Sequence, residues 1–180
     1  CYKKGTQRVK SAGKKEEKMK LYSFEHSATS IKVKMALYEL GYPFENIEVN
    51  LFEGEQSQTE FLKLNSLGKV PVLIDGEVIL KESNAILQYL GRKPGSQFWP
   101  RELGREATAL QWLFFESLHM AKTFSEICFS EITLPQLRGV HATPESLTAA
   151  KEDASWALKH LDLHFANHPF VLGNEFTLVD

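Results

Sequence analysis

The chain has 180 residues, of which 43% are hydrophobic and 24% are charged, and its net charge is −2. This composition is typical of a globular protein with a real core, and no apolar run is long enough to cross a membrane. The two cysteines, Cys1 and Cys128, build neither a disulfide framework nor a Cys-x-x-Cys motif, which favours a reducing, cytoplasmic setting.

Charge is distributed unevenly along the chain. Residues 1–20 carry eight Lys and Arg against two Glu, so the remainder carries 13 basic and 21 acidic side chains. An acidic body argues against nucleic acid as a partner. Segment 1–18 is poor in apolar residues, which predicts a disordered basic extension. The alternative is an arm that binds nucleic acid or membrane. Met19, directly before "KLYSF", is the expected start of the folded part.

Strand and helix patterns alternate after Met19. "KLYSF" predicts a strand, "SATSIKVKMALYELG" a helix that ends at Gly41, "PFENIEVNL" a second strand and "SQTEFLKLNSLG" a short helix. The apolar runs Val70–Ile74 and Glu77–Leu80, separated by Asp-Gly, predict a hairpin, and "SNAILQYLGRKPG" predicts another helix. The order βαβαββα predicts a mixed four-stranded sheet, with the first two strands parallel and the hairpin antiparallel.

Helical patterns alone follow from residue 100. Residues 100–129 form one long amphipathic pattern, with Pro100 at the position where prolines open helices, and residues 143–169 form a second. The sequence therefore predicts an α/β domain over residues 19–94, a linker, and an all-helical domain over residues 100–180.

Pro71 stands at the head of the first hairpin strand. A proline cannot donate a hydrogen bond within a sheet, so a strand's first residue or a sheet edge is its ordinary place. The alternative is a cis peptide bond between Val70 and Pro71 that turns the backbone polar groups of Val70 outward. Such groups can pair with a peptide ligand as an added strand.

Two other stretches place polar groups at helix N-termini. In "KESN", Ser83 is a plausible N-cap and Glu82 a plausible partner of the helix dipole. The same pair could instead bind a carboxylate and an ammonium, the two charged groups of an α-amino-acid head. In "LYSFEHSATS", the hydroxyls of Ser27, Thr29 and Ser30 are ordinary caps, or one of them stabilises an anion of a bound ligand.

Two motifs resemble those of a known family. "NSLGKVPVLIDGEVILKESNAILQYL" resembles the glutathione-site signature of cytosolic glutathione transferases, and "PFVLGNEFTLVD" resembles a motif of their helical domain. The resemblance extends from Met19 to Asp180, and the serine in the first loop is most similar to theta, zeta and related bacterial classes. It implies a thioredoxin-like N-terminal domain, a helical C-terminal domain, a dimer, and glutathione as co-substrate without a metal.

The resemblance also implies roles for individual residues. Glu82 and Ser83 would bind the γ-glutamyl head of glutathione, and Val70, before cis-Pro71, would pair with its cysteinyl backbone. Three further residues complete the implied site: Ser27 as the catalytic hydroxyl, Lys69 near the glycine carboxylate, and Gln56 as an assisting polar group. The thiolate would attack a small hydrophobic electrophile in a pocket near Phe115, Leu118 and His119.

Two departures from the family pattern bear on function. The first loop has no cysteine, so thiol-exchange chemistry through an enzyme thiol is not expected, and the Ser-Ser-Cys run of zeta isomerases is missing. Residues Thr177–Asp180 resemble a capping box without the helix that it should start, so we expect a truncated form or a partner over the exposed face. A non-catalytic interaction domain of the same fold is the rival to the enzyme.

Overall fold

The structure is a computed structural model that describes residues 18–133 and 143–180. The predicted basic extension 1–18 lies, apart from Lys18, outside the described residues. Four strands and six α-helices, joined in places by shorter helical turns, make up the described part. In chain order they are β1 Met19–Ser23, α1 Ala28–Glu39, β2 Phe44–Glu48, α2 Thr59–Leu64, β3 Val72–Asp75, β4 Val78–Lys81, α3 Ser83–Arg92, α4 Leu103–Phe115, α5 Lys122–Cys128 and α6 Pro144–Phe165.

The four strands form one mixed sheet in the order β2-β1-β3-β4. β1 is parallel to β2 and antiparallel to β3, and β3 is antiparallel to β4. This confirms the predicted βαβαββα thioredoxin-like fold with a helical part after it. β3 begins at Val72, two residues later than predicted, because Pro71 has no N–H to donate to a neighbouring strand.

Three helix starts are expected from the sequence, and the structure agrees with one of them. Ser27 caps α1, since its side-chain oxygen accepts a hydrogen bond from the backbone N–H of Ser30 at 3.3 Å. The start predicted at Pro100 is wrong: Glu102 caps α4 by accepting from the backbone N–H groups of Gly104 and Arg105 at 2.8 and 2.7 Å. Ser83 is not an N-cap either, because α3 already begins at this residue.

The long helical pattern predicted over residues 100–129 is present, but it is not uniformly α-helical. A π-helical turn, Glu116–Ala121, separates α4 from α5, and a second one, Phe129–Thr133, follows α5. π-helical turns are rare and often occur at functional sites.

One hydrophobic core joins the sheet half to the helical half. Leu21 of β1, Leu37 of α1 and Ile86 of α3 are fully buried in the same cluster as Trp99 of the linker and Leu113 of α4. Burial of this kind contributes about 25 cal/mol per Å² of apolar surface. Because the cluster is continuous, the sheet half and the helical half share one buried interior.

Gly91 makes the closest approach between α3 and the linker. A Cβ atom added to Gly91 would lie 2.8 Å from the Cβ of Trp99, whose side chain is only 2% exposed. The linker is also anchored by Arg101, whose guanidinium donates to four backbone carbonyls at the end of α3 and just after it. A glycine is therefore required where the linker crosses α3.

The hairpin turn is bound to the end of α3 by a charged cluster. Asp75 accepts hydrogen bonds from the Lys93 ammonium and from the Tyr89 hydroxyl, the latter at 2.8 Å. Burial on its own would raise the pKa of Asp75, but these two hydrogen bonds outweigh it and hold the pKa below its ordinary value. The same pairing raises the pKa of Lys93, although burial acts to lower it.

The C-terminal segment folds back on the linker. Leu178 donates its backbone N–H to the carbonyl of Phe98 at 2.9 Å. The Asp180 carboxylate accepts from the backbone N–H groups of Val171 at 2.7 Å and Thr177 at 2.8 Å. The Thr177 hydroxyl in turn accepts from the N–H of Val179 at 3.2 Å. One of the two reciprocal hydrogen bonds of a capping box is thus present, from the Thr177 N–H to the Asp180 carboxylate, whereas the Thr177 hydroxyl accepts from Val179 rather than from Asp180.

Candidate functional site

A cleft of about 420 Å³ lies between the sheet half and the helical half. Residues near the N-termini of α1 and α3 form one wall, and residues of α4 and the first π-helical turn form the other. The lining residues are Thr29, Glu82, Ser83, Asn84, Ala85, Gln88, Leu110, Leu113, Phe114, Glu116, Ser117 and Ala121. Two helix N-termini at one cleft concentrate free N–H groups and positive potential, which favours a negatively charged ligand.

Two hydroxyls and a backbone carbonyl form a chain at the start of α1. The hydroxyl oxygens of Ser27 and Thr29 are 3.0 Å apart, and Thr29 donates to the Val70 carbonyl at 3.4 Å. Ser27 already accepts from the N–H of Ser30, so its single hydrogen can point to Thr29 or to a ligand. Thr29, rather than Ser27, lines the cleft; Ser27 is half-buried directly beside it.

Glu82 has an unusual backbone at the entrance to α3. Its φ of 67° makes it the one non-glycine residue with positive φ in the described part of the chain. A non-glycine residue in this region costs of order 1–3 kcal/mol, and such residues cluster at functional sites. The conformation starts α3 at once after β4 and leaves the exposed Glu82 side chain and the buried Ser83 on the cleft wall.

The loop before β3 runs beside the hydroxyl pair. The Val70–Pro71 peptide bond is cis, as the resemblance to glutathione transferases implies. Val70 is half-buried, and its carbonyl contacts Thr29 as described. Lys69 is exposed, and its carbonyl accepts from the side-chain amide of Asn65 at 2.7 Å. Val70 is therefore next to the hydroxyl pair, whereas the Lys69 side chain is exposed to solvent.

Gln56 lies farther along the same side, in the short 3-10 turn Glu55–Ser57. Its backbone carbonyl is 3.1 Å from the point where a Cβ on Gly68 would stand, so the turn packs on the loop that leads to Val70. Its side-chain oxygen is buried without a hydrogen-bond partner among the described residues. Neither Gln56 nor Lys69 belongs to the lining of the 420 Å³ cleft.

The residues named for the electrophile pocket do not line this cleft. The structure presents Leu110, Leu113, Phe114, Ser117 and Ala121 to the cleft, not Phe115, Leu118 and His119. Phe115 and His119 instead contact the Trp156 ring of α6, at 6.1 and 5.3 Å between ring centroids, and Leu118 is 65% exposed. A helix turns by about 100° per residue, so an error of one position selects a different face.

The cleft also contains a polar cluster that is not apparent from the sequence. Asn84 accepts from the Lys32 ammonium at 2.7 Å, and its amide donates to the Glu116 carboxylate at 2.9 Å and the Leu113 carbonyl at 2.8 Å. Lys32 and Glu116 are themselves 3.1 Å apart. The cluster joins α1, α3 and the first π-helical turn. Asn84 belongs to the "KESN" stretch, but no short-range pattern links it to Glu116.

Neither metal binding nor membrane crossing has a structural signature in residues 18–133 and 143–180. No three His, Cys, Asp or Glu side chains there are grouped so that they could hold a metal ion. Among the helices of these residues, none combines the length and the apolarity needed to cross a bilayer.

The fold and the cleft together define a two-part protein of the thioredoxin-like class, with a ligand site between a mixed sheet and a helical layer. Residues 17–92 match the N-terminal domain of glutathione S-transferases. Glutathione S-transferase 3 of Zea mays is 32% identical over 167 residues, which are 90% of this chain and 73% of the maize protein. The chain belongs to the glutathione S-transferase family.

Further relatives agree with this assignment. Glutathione S-transferase Z1 of Arabidopsis thaliana is 42% identical over 97 residues, 53% of this chain and 44% of that protein. The crystal structure of human glutathione transferase theta-2, a complex with glutathione and an unknown ligand, superposes with a TM-score of 0.82 at 31% identity. That alignment covers 89% of this chain and 67% of the human one. The chain spans between 44% and 73% of the lengths of the first three curated relatives it matches.

Proposed function

We propose that this protein binds glutathione at the cleft and activates its thiol for attack on small hydrophobic electrophiles. The γ-glutamyl head binds Glu82 and Ser83, the cysteinyl backbone pairs with Val70 before cis-Pro71, and the glycine carboxylate approaches Lys69. Gln56 contributes its unpaired side-chain oxygen to the same ligand. The human theta-2 relative, which was solved with glutathione bound, supports this choice of ligand.

One observation carries the proposal. The N-termini of α1 and α3 open on a single cleft whose other wall is the apolar face of α4. A thiolate needs positive potential and a hydrogen-bond donor, whereas its electrophile needs an apolar surface. The cleft offers both within about 420 Å³.

To activate glutathione, the site must lower the pKa of its thiol. A free thiol has a pKa near 8.5, so only about 3% of it is thiolate at pH 7. A hydroxyl donor together with a helix N-terminus favours the charged form, and each unit of lowering corresponds to about 1.4 kcal/mol. We assign the donor role to Ser27. Thr29, 3.0 Å from it, is the second candidate because it faces the cleft.

Calorimetric titration with glutathione, combined with ultraviolet absorbance of the bound thiolate against pH, tests the proposal. We expect Glu82→Gln to weaken glutathione binding about tenfold through loss of the charge beside the ammonium, on the order of the contribution of one hydrogen bond to a charged group. Ser27→Ala should bind glutathione but show a raised thiol pKa. Thr29→Val should leave that pKa near the parent value.

The controls separate a role in the site from a role in folding. Ser27→Ala also removes the cap of α1, which costs about 1 kcal/mol, so its melting temperature is measured beside that of Ser125→Ala, an exposed serine of α5 outside the cleft. A folded parent that fails to bind millimolar glutathione would overturn the proposal. Binding without thiolate formation would favour the non-catalytic interaction domain. A raised thiol pKa in Thr29→Val alone would transfer the donor role to Thr29.

Two further proposals concern assembly and location. A homodimer is proposed from the family, and gel filtration with light scattering measures it directly. A cytoplasmic location is proposed because the co-substrate is a reduced thiol, which a reducing compartment maintains.

A further inference from the structure

We infer that the cleft discriminates between electrophiles by charge, with Glu116 as the residue that disfavours anionic electrophiles and Lys32 as the residue that moderates this effect. The inference rests on the proposed function and names its substrate class: neutral or cationic electrophiles in preference to those that carry a carboxylate.

The first observation is the charge of the side chains that line the cleft. Among the described residues that line it, the charged side chains are Glu82 and Glu116, both acidic. Glu82 is assigned to the ammonium of glutathione, which balances its charge. Glu116 stands beside Phe114 and Ser117 on the opposite, largely apolar wall, where the electrophile is expected. It is therefore the carboxylate that a bound electrophile meets.

The second observation is that the two carboxylate oxygens of Glu116 differ in their hydrogen bonds. One carboxylate oxygen, Oε2, is paired with Lys32 at 3.1 Å and with the Asn84 amide at 2.9 Å. The other oxygen, Oε1, has no hydrogen-bond donor among residues 18–133 and 143–180. It can accept from a ligand N–H or O–H group, whereas a ligand carboxylate offers it only repulsion.

The third observation is that Lys32 contacts the cleft wall without lining the cleft. Its ammonium contacts both Asn84 and Glu116, but Lys32 is not a lining residue. The pair therefore presents its negative end to the cleft and its positive end to α1. Removal of the Glu116 charge and removal of the Lys32 charge should therefore change the preference for neutral over anionic electrophiles in opposite directions. A purely structural role of the cluster would affect all electrophiles alike.

The test uses two aryl chlorides of similar shape, 4-chloro-3-nitrobenzamide and 4-chloro-3-nitrobenzoate. In each reaction the glutathione thiolate forms a C–S bond at the ring carbon that bears chlorine, and chloride leaves with the C–Cl electron pair. We divide each kcat/KM by the rate of the uncatalysed reaction, so that intrinsic reactivity cancels. The amide-to-carboxylate ratio of these values then reports the charge discrimination of the cleft.

We expect Glu116→Gln to lower this ratio about tenfold and Lys32→Met to raise it by several-fold, as expected for a charge change a few ångströms from the ligand at a partly exposed site. Glutamine keeps the acceptor for Lys32 and Asn84, so the fold of the cleft is retained. Glu126→Gln, on an exposed side of α5, is the matched control and should leave the ratio unchanged.

The outcomes distinguish this inference from the proposed function. If the parent turns over neither chloride, the proposed function fails. The unreactive pair 3-nitrobenzamide and 3-nitrobenzoate, titrated into the same variants by calorimetry, then tests the charge discrimination without turnover. If the amide-to-carboxylate ratio is the same in the parent and both variants, or moves in the same direction in both, the inference is overturned.

Discussion

Replacement of Asn84 by alanine tests whether the polar cluster holds the two halves of the cleft together. The side chain makes three hydrogen bonds, at 2.7 Å from Lys32, 2.8 Å to the Leu113 carbonyl and 2.9 Å to Glu116. Two of these involve charged groups, and such bonds contribute about 1.5–3 kcal/mol each when buried. Because the side chains of Lys32 and Glu116 are 26% and 31% exposed, solvent weakens both bonds.

The expected loss for Asn84→Ala is therefore about 2 kcal/mol, less than the sum of the three bonds. The direct Lys32–Glu116 pair survives the substitution, so neither charge is left without a partner. For a chain of this length, each kcal/mol corresponds to about 2–4 °C in Tm, which predicts a decrease of about 4–8 °C.

Urea unfolding at pH 7, followed by tryptophan fluorescence, measures the change, with Asn167→Ala as the control. Asn167 is exposed in the turn after α6, and its replacement should change the free energy of unfolding by less than about 0.5 kcal/mol. A double-mutant cycle of Asn84→Ala with Lys32→Met should give a coupling of about 0.5–1 kcal/mol. A loss for Asn84→Ala no larger than that of the control would refute the role of the cluster.

Three other substitutions address the fold. Gly91→Ala should cost about 1–3 kcal/mol, because the new methyl group overlaps the buried Trp99. Gly104→Ala in α4 should cost less in the same urea assay, because its methyl group would meet only the exposed Glu102 carboxylate, at 3.2 Å. Asp75→Asn should be destabilising above pH 3.8, the ordinary carboxyl pKa. The destabilisation should become smaller as the pH falls through the lower pKa that Asp75 has in the folded state. A destabilisation that is the same at about pH 2 and at about pH 7 would contradict this. Asp180→Ala should lower the free energy of unfolding by about 1–3 kcal/mol through loss of three hydrogen bonds, and an unchanged Tm would contradict it.

Local chemistry made the sheet half predictable. The Asp-Gly turn, the helix that ends at Gly41 and the proline at the head of β3 each act over a few residues, so the sequence places them within one or two positions. The element order βαβαββα then follows from the pattern. Glu82 and Ser83 are adjacent in sequence, and their common place at the start of α3 needs no knowledge of distant contacts.

The rest depends on contacts between residues far apart in the chain. Glu116 meets Asn84 across 32 positions, and no periodicity predicts that pairing. The residues that α4 presents to the cleft differ from the prediction because helical periodicity alone does not determine which face of the helix meets the sheet half. Glu102 displaces Pro100 as the start of α4 because a carboxylate that accepts two backbone N–H groups satisfies more of the helix terminus than a proline ring does.

The continuous core limits how this chain can evolve. Ile86 and Leu113 belong to different halves, yet they share one buried cluster with Trp99. A recombination event that joined the sheet half to a foreign helical half would bring together surfaces that had not been selected to fit. The two halves are therefore expected to be inherited as one unit, and alignments of close homologues should show correlated replacements at positions 86, 99 and 113.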